Sequence, residues 1–116
     1  MRRVLWAGVA VSLAFGCGDL TVPDAEPAIT GVVTDVRFDS GGEREVWIKE
    51  RPDAECGIVF TRIEESRIRL LTSSGLQGGY FGNVVTGVEA RAWAEGVILD
   101  SCPGQARLRL LEVTLR

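Results

Sequence analysis

The chain has 116 residues, 13 basic and 16 acidic side chains, a net charge of −3 at neutral pH and no histidine. Without histidine, a Gly-x-Ser-x-Gly elbow or a phosphate-binding glycine loop, the sequence argues against an enzyme, and we predict no catalytic residues and no cofactor. The acidic balance repels a nucleic-acid backbone on average, so nucleic acid is not the expected partner.

The N-terminus has the order of residues that is typical of an export signal. Two arginines precede the uncharged stretch 4–15, whose twelve residues are too few for a membrane-spanning helix of about 20. Residues 13–17, Leu-Ala-Phe-Gly-Cys, resemble a lipobox, in which the cysteine thiol receives a diacylglycerol before cleavage. We therefore predict that 1–16 is a lipoprotein signal peptide and that Cys17 is lipidated. The alternative is a plain secretory signal with an incidental cysteine.

Residues 17–27 are predicted to be an extended tether, because they contain two prolines and three acidic residues without apolar periodicity. Lipidated Cys17 makes the membrane a partner and locates the protein on the periplasmic or extracellular side of the cell envelope. Gly18 after this cysteine favours the outer membrane in a two-membrane cell. Loss of 1–16 removes two arginines and no acidic residue, which leaves a net charge of −5.

Residues 28–116 are sufficient for one small domain. The remaining cysteines, Cys56 and Cys102, enter an oxidising compartment and are predicted to form a disulfide, worth about 4 kcal/mol in the chain-entropy model. Two free thiols or half of a metal site are the alternatives, but the chain has no Cys-x-x-Cys motif. A cation site is a further hypothesis without recognisable ligand spacing, and would use Asp35, Asp39, Asp53 and Glu55.

Apolar and polar residues alternate with the period of a half-buried strand over much of this domain. A first strand is predicted over 28–39 and a second strand around Val46 and Ile48, with residues 40–43 as the hairpin turn. In the first strand the alternating even positions are Val32, Thr34, Val36 and Phe38.

The second half of the domain also reads as strands. Segments 57–63 and 67–70 predict two short strands or one hairpin, whereas the four glycines of 73–82 predict a loop. A further strand is predicted over 88–95. The last strand begins near Gln105, and its apolar phase changes at Leu111, as at a bulge. Five or six short antiparallel strands favour a small five-stranded antiparallel barrel.

Residues 96–106, Gly-Val-Ile-Leu-Asp-Ser-Cys-Pro-Gly-Gln-Ala, resemble the hallmark Gly-x-Ile-x-Glu-Ser-Tyr-Pro-x-Gln-Ala of the YobA-like bacterial lipoproteins of unknown function. Residues 29–33 are similar to the first strand of that family, and 87–93 to its Gly-x-x-Val-x-Val-Trp segment. Cys102 replaces the tyrosine of the family, consistent with its recruitment into a bridge with Cys56. The resemblance implies an OB-like, five-stranded barrel on a lipid anchor and brings no catalytic residues.

Two groups of side chains are candidate functional residues. By strand parity two tryptophans point away from the core, and two further aromatic residues lie in the glycine-rich loop. The candidate binding residues are therefore Trp47, Trp93, Tyr80 and Phe81, although the tryptophans would also serve to cover the ends of a barrel. A turn motif, with either a structural or a binding role, consists of Asp100, Ser101, Pro103 and Gln105.

The sequence thus predicts a lipid-anchored envelope protein that carries a non-catalytic binding module for an envelope protein or glycan. The alternative is OB-fold binding of single-stranded nucleic acid or another polyanion. Four arginines that alternate along two predicted strands form either a local basic patch or a solvated strand face, namely Arg67, Arg69, Arg107 and Arg109.

Overall fold

The structure, a computed structural model, describes residues 21–116. The predicted signal peptide and the lipidation site Cys17 lie outside the described residues. Within 21–116 the regular elements are strands and two short 3-10 turns. None of the described residues belongs to a helix that is long and apolar enough to cross a membrane.

The structure has seven strands, which in chain order are β1 Ile29–Phe38, β2 Arg44–Lys49, β3 Ile58–Thr61, β4 Ile68–Thr72, β5 Gly75–Gly78, β6 Glu89–Leu99 and β7 Gly104–Thr114. They form one mixed sheet, in the order β3-β2-β1-β6-β7-β4-β5. Because β3 also pairs with β7, strands β1, β2, β3, β7 and β6 form a closed ring, and β4 and β5 continue from the second half of β7.

The all-β prediction is confirmed, but the predicted purely antiparallel arrangement of five strands is wrong. Strand β7 runs parallel to both β3 and β4, which pair with its first and second halves. The two segments 57–63 and 67–70 are thus separate strands along one side of β7 and not a hairpin. Part of the predicted loop 73–82 forms β5, which pairs with β4 through a turn in which Gly75 has a φ of 121°.

The β1–β2 hairpin is confirmed, and its turn is held by one side chain. The Asp39 carboxylate accepts hydrogen bonds from the backbone N–H groups of Gly41 at 2.8 Å and Glu43 at 3.0 Å. Gly42 has a φ of 83°, a conformation that glycine adopts without steric cost. Local turn chemistry therefore determines this connection.

Two register shifts bend the long strands around the core. In β1 the pairing with β2 shifts at Thr34, so that Val33 and Val36 both point inward instead of alternating regularly. In β7 the pairing with β6 shifts at Arg109, and the buried positions change phase by Leu111, as predicted. The core enclosed by the sheet is centred on Val33, Val46, Ile48, Phe60, Ile68, Ala92, Leu108, Leu111 and Val113.

The predicted disulfide is present. Cys56 and Cys102 are bonded, with their Cα atoms 5.1 Å apart. The bridge joins the chain that precedes β3 to the turn between β6 and β7. The backbone N–H of Gly104 donates to the carbonyl of Gly57 at 2.8 Å and makes the same connection.

Candidate functional site

One row of residues crosses four strands on the outside of the ring. Trp47 on β2 lies opposite Asp35 on β1 and Val59 on β3, and Val59 in turn lies beside Gln105 on β7. We call these four residues the outer row. Successive side chains of a strand point to opposite faces, and the neighbours of Trp47 on β2 are buried in the core, so the outer row faces away from it. The fold thereby brings together Trp47, one of the candidate aromatic residues, and Gln105, one of the residues of the turn motif.

Trp47 is half-buried and lies under an arginine. The Arg37 guanidinium carbon is 4.3 Å from the centroid of the Trp47 ring, and its Nη2 is 3.6 Å from Oδ2 of Asp35. The side chains of this ion pair are 53% and 45% exposed, so water screens the pair. A cation–π contact at such a site contributes about 0.5–1 kcal/mol. The Arg37 guanidinium therefore lies over the ring of Trp47 and is held there only weakly.

The indole N–H of Trp47 is buried and has no hydrogen-bond partner within residues 21–116. Leaving a buried donor unpaired costs about 1–3 kcal/mol. The backbone of the same residue is held in place, because the Thr34 hydroxyl donates to the Trp47 carbonyl at 3.4 Å. Trp47 thus combines a fixed backbone, an aromatic face under a displaceable cation and an unused donor.

Trp93 points away from the core as strand parity predicts, but it is covered by another part of the chain. It is only 3% exposed, and its indole N–H donates to the Ala25 carbonyl at 2.7 Å. The N–H of Ala28 donates to the Ala92 carbonyl at 2.8 Å, so the chain before β1 continues alongside β6 and covers the ring. Trp93 offers no free surface to a ligand, and the last residues of the predicted tether pack on the domain.

Tyr80 and Phe81 lie beside the β1–β2 turn and not on the outer row. The Arg44 guanidinium is 3.7 Å from the Phe81 ring centroid and 5.1 Å from that of Phe38. Phe81 packs against the core, and its N–H donates to the Glu65 carboxylate at 3.0 Å, whereas Tyr80 is exposed. The structure therefore does not gather the four candidate aromatic residues into one site.

The turn motif divides into two parts. The Ser101 hydroxyl donates to the Pro103 carbonyl at 2.7 Å, and its N–H donates to the Leu99 carbonyl at 3.1 Å, which is the predicted backbone bonding of the turn. Asp100 is exposed, and a cis peptide bond precedes Pro103. Gln105 belongs to β7 and is exposed on the outer row, away from these turn contacts.

An ion pair that strand parity did not reveal lies between β6 and β7. Arg91 donates to Glu112 through Nε at 2.8 Å and Nη2 at 2.9 Å. The hydrogen bond to Glu112 raises the pKa of the Arg91 guanidinium, although burial acts in the opposite direction. Glu112 is buried although its position between two core residues of β7 predicts an outward, solvated side chain. Both carboxylate oxygens of Glu112 therefore accept hydrogen bonds from within the domain.

Several of the remaining charged candidates are paired within the domain. Arg67 donates to the Leu108 carbonyl at 2.7 Å and forms ion pairs with Glu64 and Glu95. Within the described chain no three His, Cys, Asp or Glu side chains come together as metal ligands. Of the carboxylates considered for a cation site, Asp35 contacts Arg37, Asp39 binds its turn and Asp53 contacts Arg51.

Comparison of the chain with models of protein families, with curated proteins and with solved structures finds no match. The candidate site is accordingly defined by the ring of strands and its outer row alone. Its side chains supply one aromatic face, amide and guanidinium groups and an unpaired N–H. Such groups can hold a ligand, and the row contains no pair of groups arranged for acid–base or nucleophilic chemistry.

Proposed function

We propose that this chain is a lipid-anchored protein of the cell envelope whose OB-like domain binds a ligand, without catalysis, on the outer row around Trp47. The anchor is supported by the lipobox at Cys17 and by the resemblance to the YobA-like lipoproteins. The binding role is supported above all by the unpaired, buried indole N–H of Trp47 beneath the exposed Arg37 side chain.

The strand order supports the OB-like assignment. The ring runs β1-β2-β3-β7-β6, so its five members correspond to a five-stranded Greek-key barrel in which β6 and β7 are the fourth and fifth strands. OB-folds bind oligosaccharides or oligonucleotides on the face of their second and third strands and on the loops after the first and fourth. Trp47 and Val59 lie on β2 and β3, and the Ser101 turn follows the fourth strand of the ring.

The chemistry of the outer row favours a glycan. An indole face can pack against the apolar face of a sugar ring, while the N–H of Trp47 and the amide of Gln105 can bond to hydroxyl groups. A polyanion is disfavoured by the net charge of −5 in the mature chain. Peptidoglycan fragments are the glycan that an envelope protein meets at highest local concentration, so they are the first probe.

Fluorescence titration of the mature protein tests this proposal. Replacing Trp93 with phenylalanine leaves Trp47 as the single tryptophan after signal removal, so its emission reports on the outer row. We expect solubilised muropeptides or chito-oligosaccharides to change that emission. In the otherwise wild-type protein, Trp47→Ala should weaken binding by about tenfold or more, measured by calorimetry at a temperature well below the melting transition of the variant.

Tyr80→Ala is the matched control, because it removes an exposed aromatic residue away from the outer row. Equal binding by wild type and Trp47→Ala would refute the assignment of the face. Binding of a short oligodeoxythymidine that weakens steeply with salt, in the absence of glycan binding, would support the polyanion alternative instead.

A further inference from the structure

Three consecutive apolar residues at the end of β6 are exposed. Val97, Ile98 and Leu99 are 81%, 39% and 58% exposed, and we call them the apolar tip. Single exposed apolar side chains are normal on a protein surface, whereas a contiguous group marks a surface that contacts a protein or a membrane. Packing within the domain therefore does not account for the exposure of these three apolar residues.

A bulge directs the tip outward. Glu95 pairs with Arg107 and Leu99 pairs with Gln105, so four steps along β6 face only two along β7. The bulge begins at Gly96, which has a φ of 76°. Bulges of this kind re-aim side chains, and the disulfide with the hydrogen-bonded turn at Ser101 holds the chain that follows. The tip therefore projects from the sheet, and the disulfide and the turn at Ser101 fix the position of the chain that follows it.

The tip forms one wall of a groove whose opposite wall is the chain that enters β1. This groove has a volume of about 680 Å³, and its lining mixes apolar residues, among them Pro27, Ile58 and Leu99, with polar ones such as Glu50 and Asp100. On the other side of the tip, Val97 and Leu99 line a second groove of about 500 Å³. The apolar surface is therefore broader than the three residues of the tip.

The N-terminal segment leaves the ring at the same end as the tip. Ile29 pairs with Ala92 in antiparallel register, and Ala25 contacts Trp93, so the chain followed backward from β1 runs along β6 toward the tip. The eight residue-to-residue steps from Cys17 to Ala25 span at most about 29 Å when the chain is fully extended. The β1–β2 turn is about 30 Å further away, since β1 has ten residues that rise about 3.3 Å each.

We propose, on the basis of the proposed lipid anchor, that the apolar tip inserts into the interfacial layer of the bilayer that holds Cys17. The anchor brings this end of the domain to the membrane, and the exposed side chains of the apolar tip provide the contact. Glu95 and Asp100 flank the tip, so the contact is driven by apolar burial and not by basic residues. Anionic lipid should consequently weaken the insertion.

Spin labels on the lipidated full-length product, reconstituted in phosphatidylcholine vesicles, test this inference. A nitroxide at Val97→Cys is compared with one at Ser40→Cys, which lies in the β1–β2 turn at the opposite end. Power saturation should show that the label at position 97 is accessible to oxygen and shielded from a water-soluble nickel chelate, with the reverse at position 40. Adding phosphatidylglycerol should raise nickel access at position 97.

The added thiol requires a second variant that cannot exchange with the disulfide. With Trp47 and Trp93 both replaced by phenylalanine, Val97→Trp should be quenched by brominated lipid at least about twice as strongly as Ser40→Trp, as expected for interfacial insertion at position 97 alone. Equal, aqueous behaviour of the two positions in protein that floats with the vesicles would overturn the insertion and leave the anchor intact. Failure to float with the vesicles would instead overturn the lipid anchor on which the inference rests.

Discussion

Replacing both Cys56 and Cys102 with alanine should greatly destabilise the domain. The bridge spans a sequence separation of 46 residues, and a loop of that length constrains the unfolded chain by about 4 kcal/mol in the chain-entropy model. Domains of this size unfold with a total free energy of about 4–13 kcal/mol, so the bridge supplies a large part of the stability. We expect the melting temperature to fall by about 15–30 °C.

Thermal unfolding followed by far-ultraviolet circular dichroism measures this loss. Both cysteines are exposed, so alanine leaves no cavity in the core and the change reports on the bridge. Reductant should lower the melting temperature of the wild type to that of the double variant and leave the variant unchanged. If the double variant melted within a few degrees of the wild type, the contacts between Gly57 and Gly104 would be holding the loop closed without the bridge.

Two further substitutions test the packing of the ring. Arg91→Leu removes both hydrogen bonds to the buried Glu112 carboxylate and should cost about 2 kcal/mol, allowing for the 40% exposure of the arginine side chain. A loss of less than about 0.5 kcal/mol in denaturant unfolding would show that the Glu112 carboxylate is satisfied without Arg91. The hydrogen bond to Glu112 raises the pKa of Arg91 in the wild type, so the stability it contributes is constant around neutral pH and is lost only in strongly alkaline solution. A Cβ atom on Gly31 would collide with the Lys49 carbonyl of the neighbouring strand. Gly31→Ala should therefore lower the free energy of unfolding, measured with denaturant, by about 2–3 kcal/mol. Gly82→Ala should lower it by less than about 1 kcal/mol, because open space surrounds Gly82. Equal losses for the two glycines would show that the close approach of β1 and β2 relaxes freely.

The outer row and the apolar tip divide the surface of the domain between two tasks. The tip and the entry to β1 lie at one end, where the proposed anchor meets the membrane. Trp47 and its partners lie along the side of the ring. Gln105, at one end of the outer row, pairs with Leu99 of the tip, whereas Trp47 lies two strands further around the ring. A domain oriented by its tip would therefore hold the Gln105 end of the outer row near the lipid surface and leave Trp47 further from it. The two proposals can fail independently, because one depends on Trp47 and the other on Val97.

Local chemistry made several features predictable from the sequence. The alternation at period two determines strand type residue by residue, and Asp39 with its glycines determines the first hairpin turn. The phase change at Leu111 was visible because it is a property of one strand. The disulfide was predictable because, once Cys17 is assigned to the predicted lipobox, only Cys56 and Cys102 remain to pair.

Only the tertiary structure decided which strands became neighbours and what covered each face. Alternation is the same for parallel and antiparallel partners, so it cannot reveal that β7 pairs in parallel with β3 and β4. The sequence correctly predicted that Trp93 points outward, but its burial depends on a segment 68 residues earlier in the chain. Trp47 and Gln105 share one row through the registers of two strand pairs, and a shift of one residue in either of them would move a side chain to the opposite face.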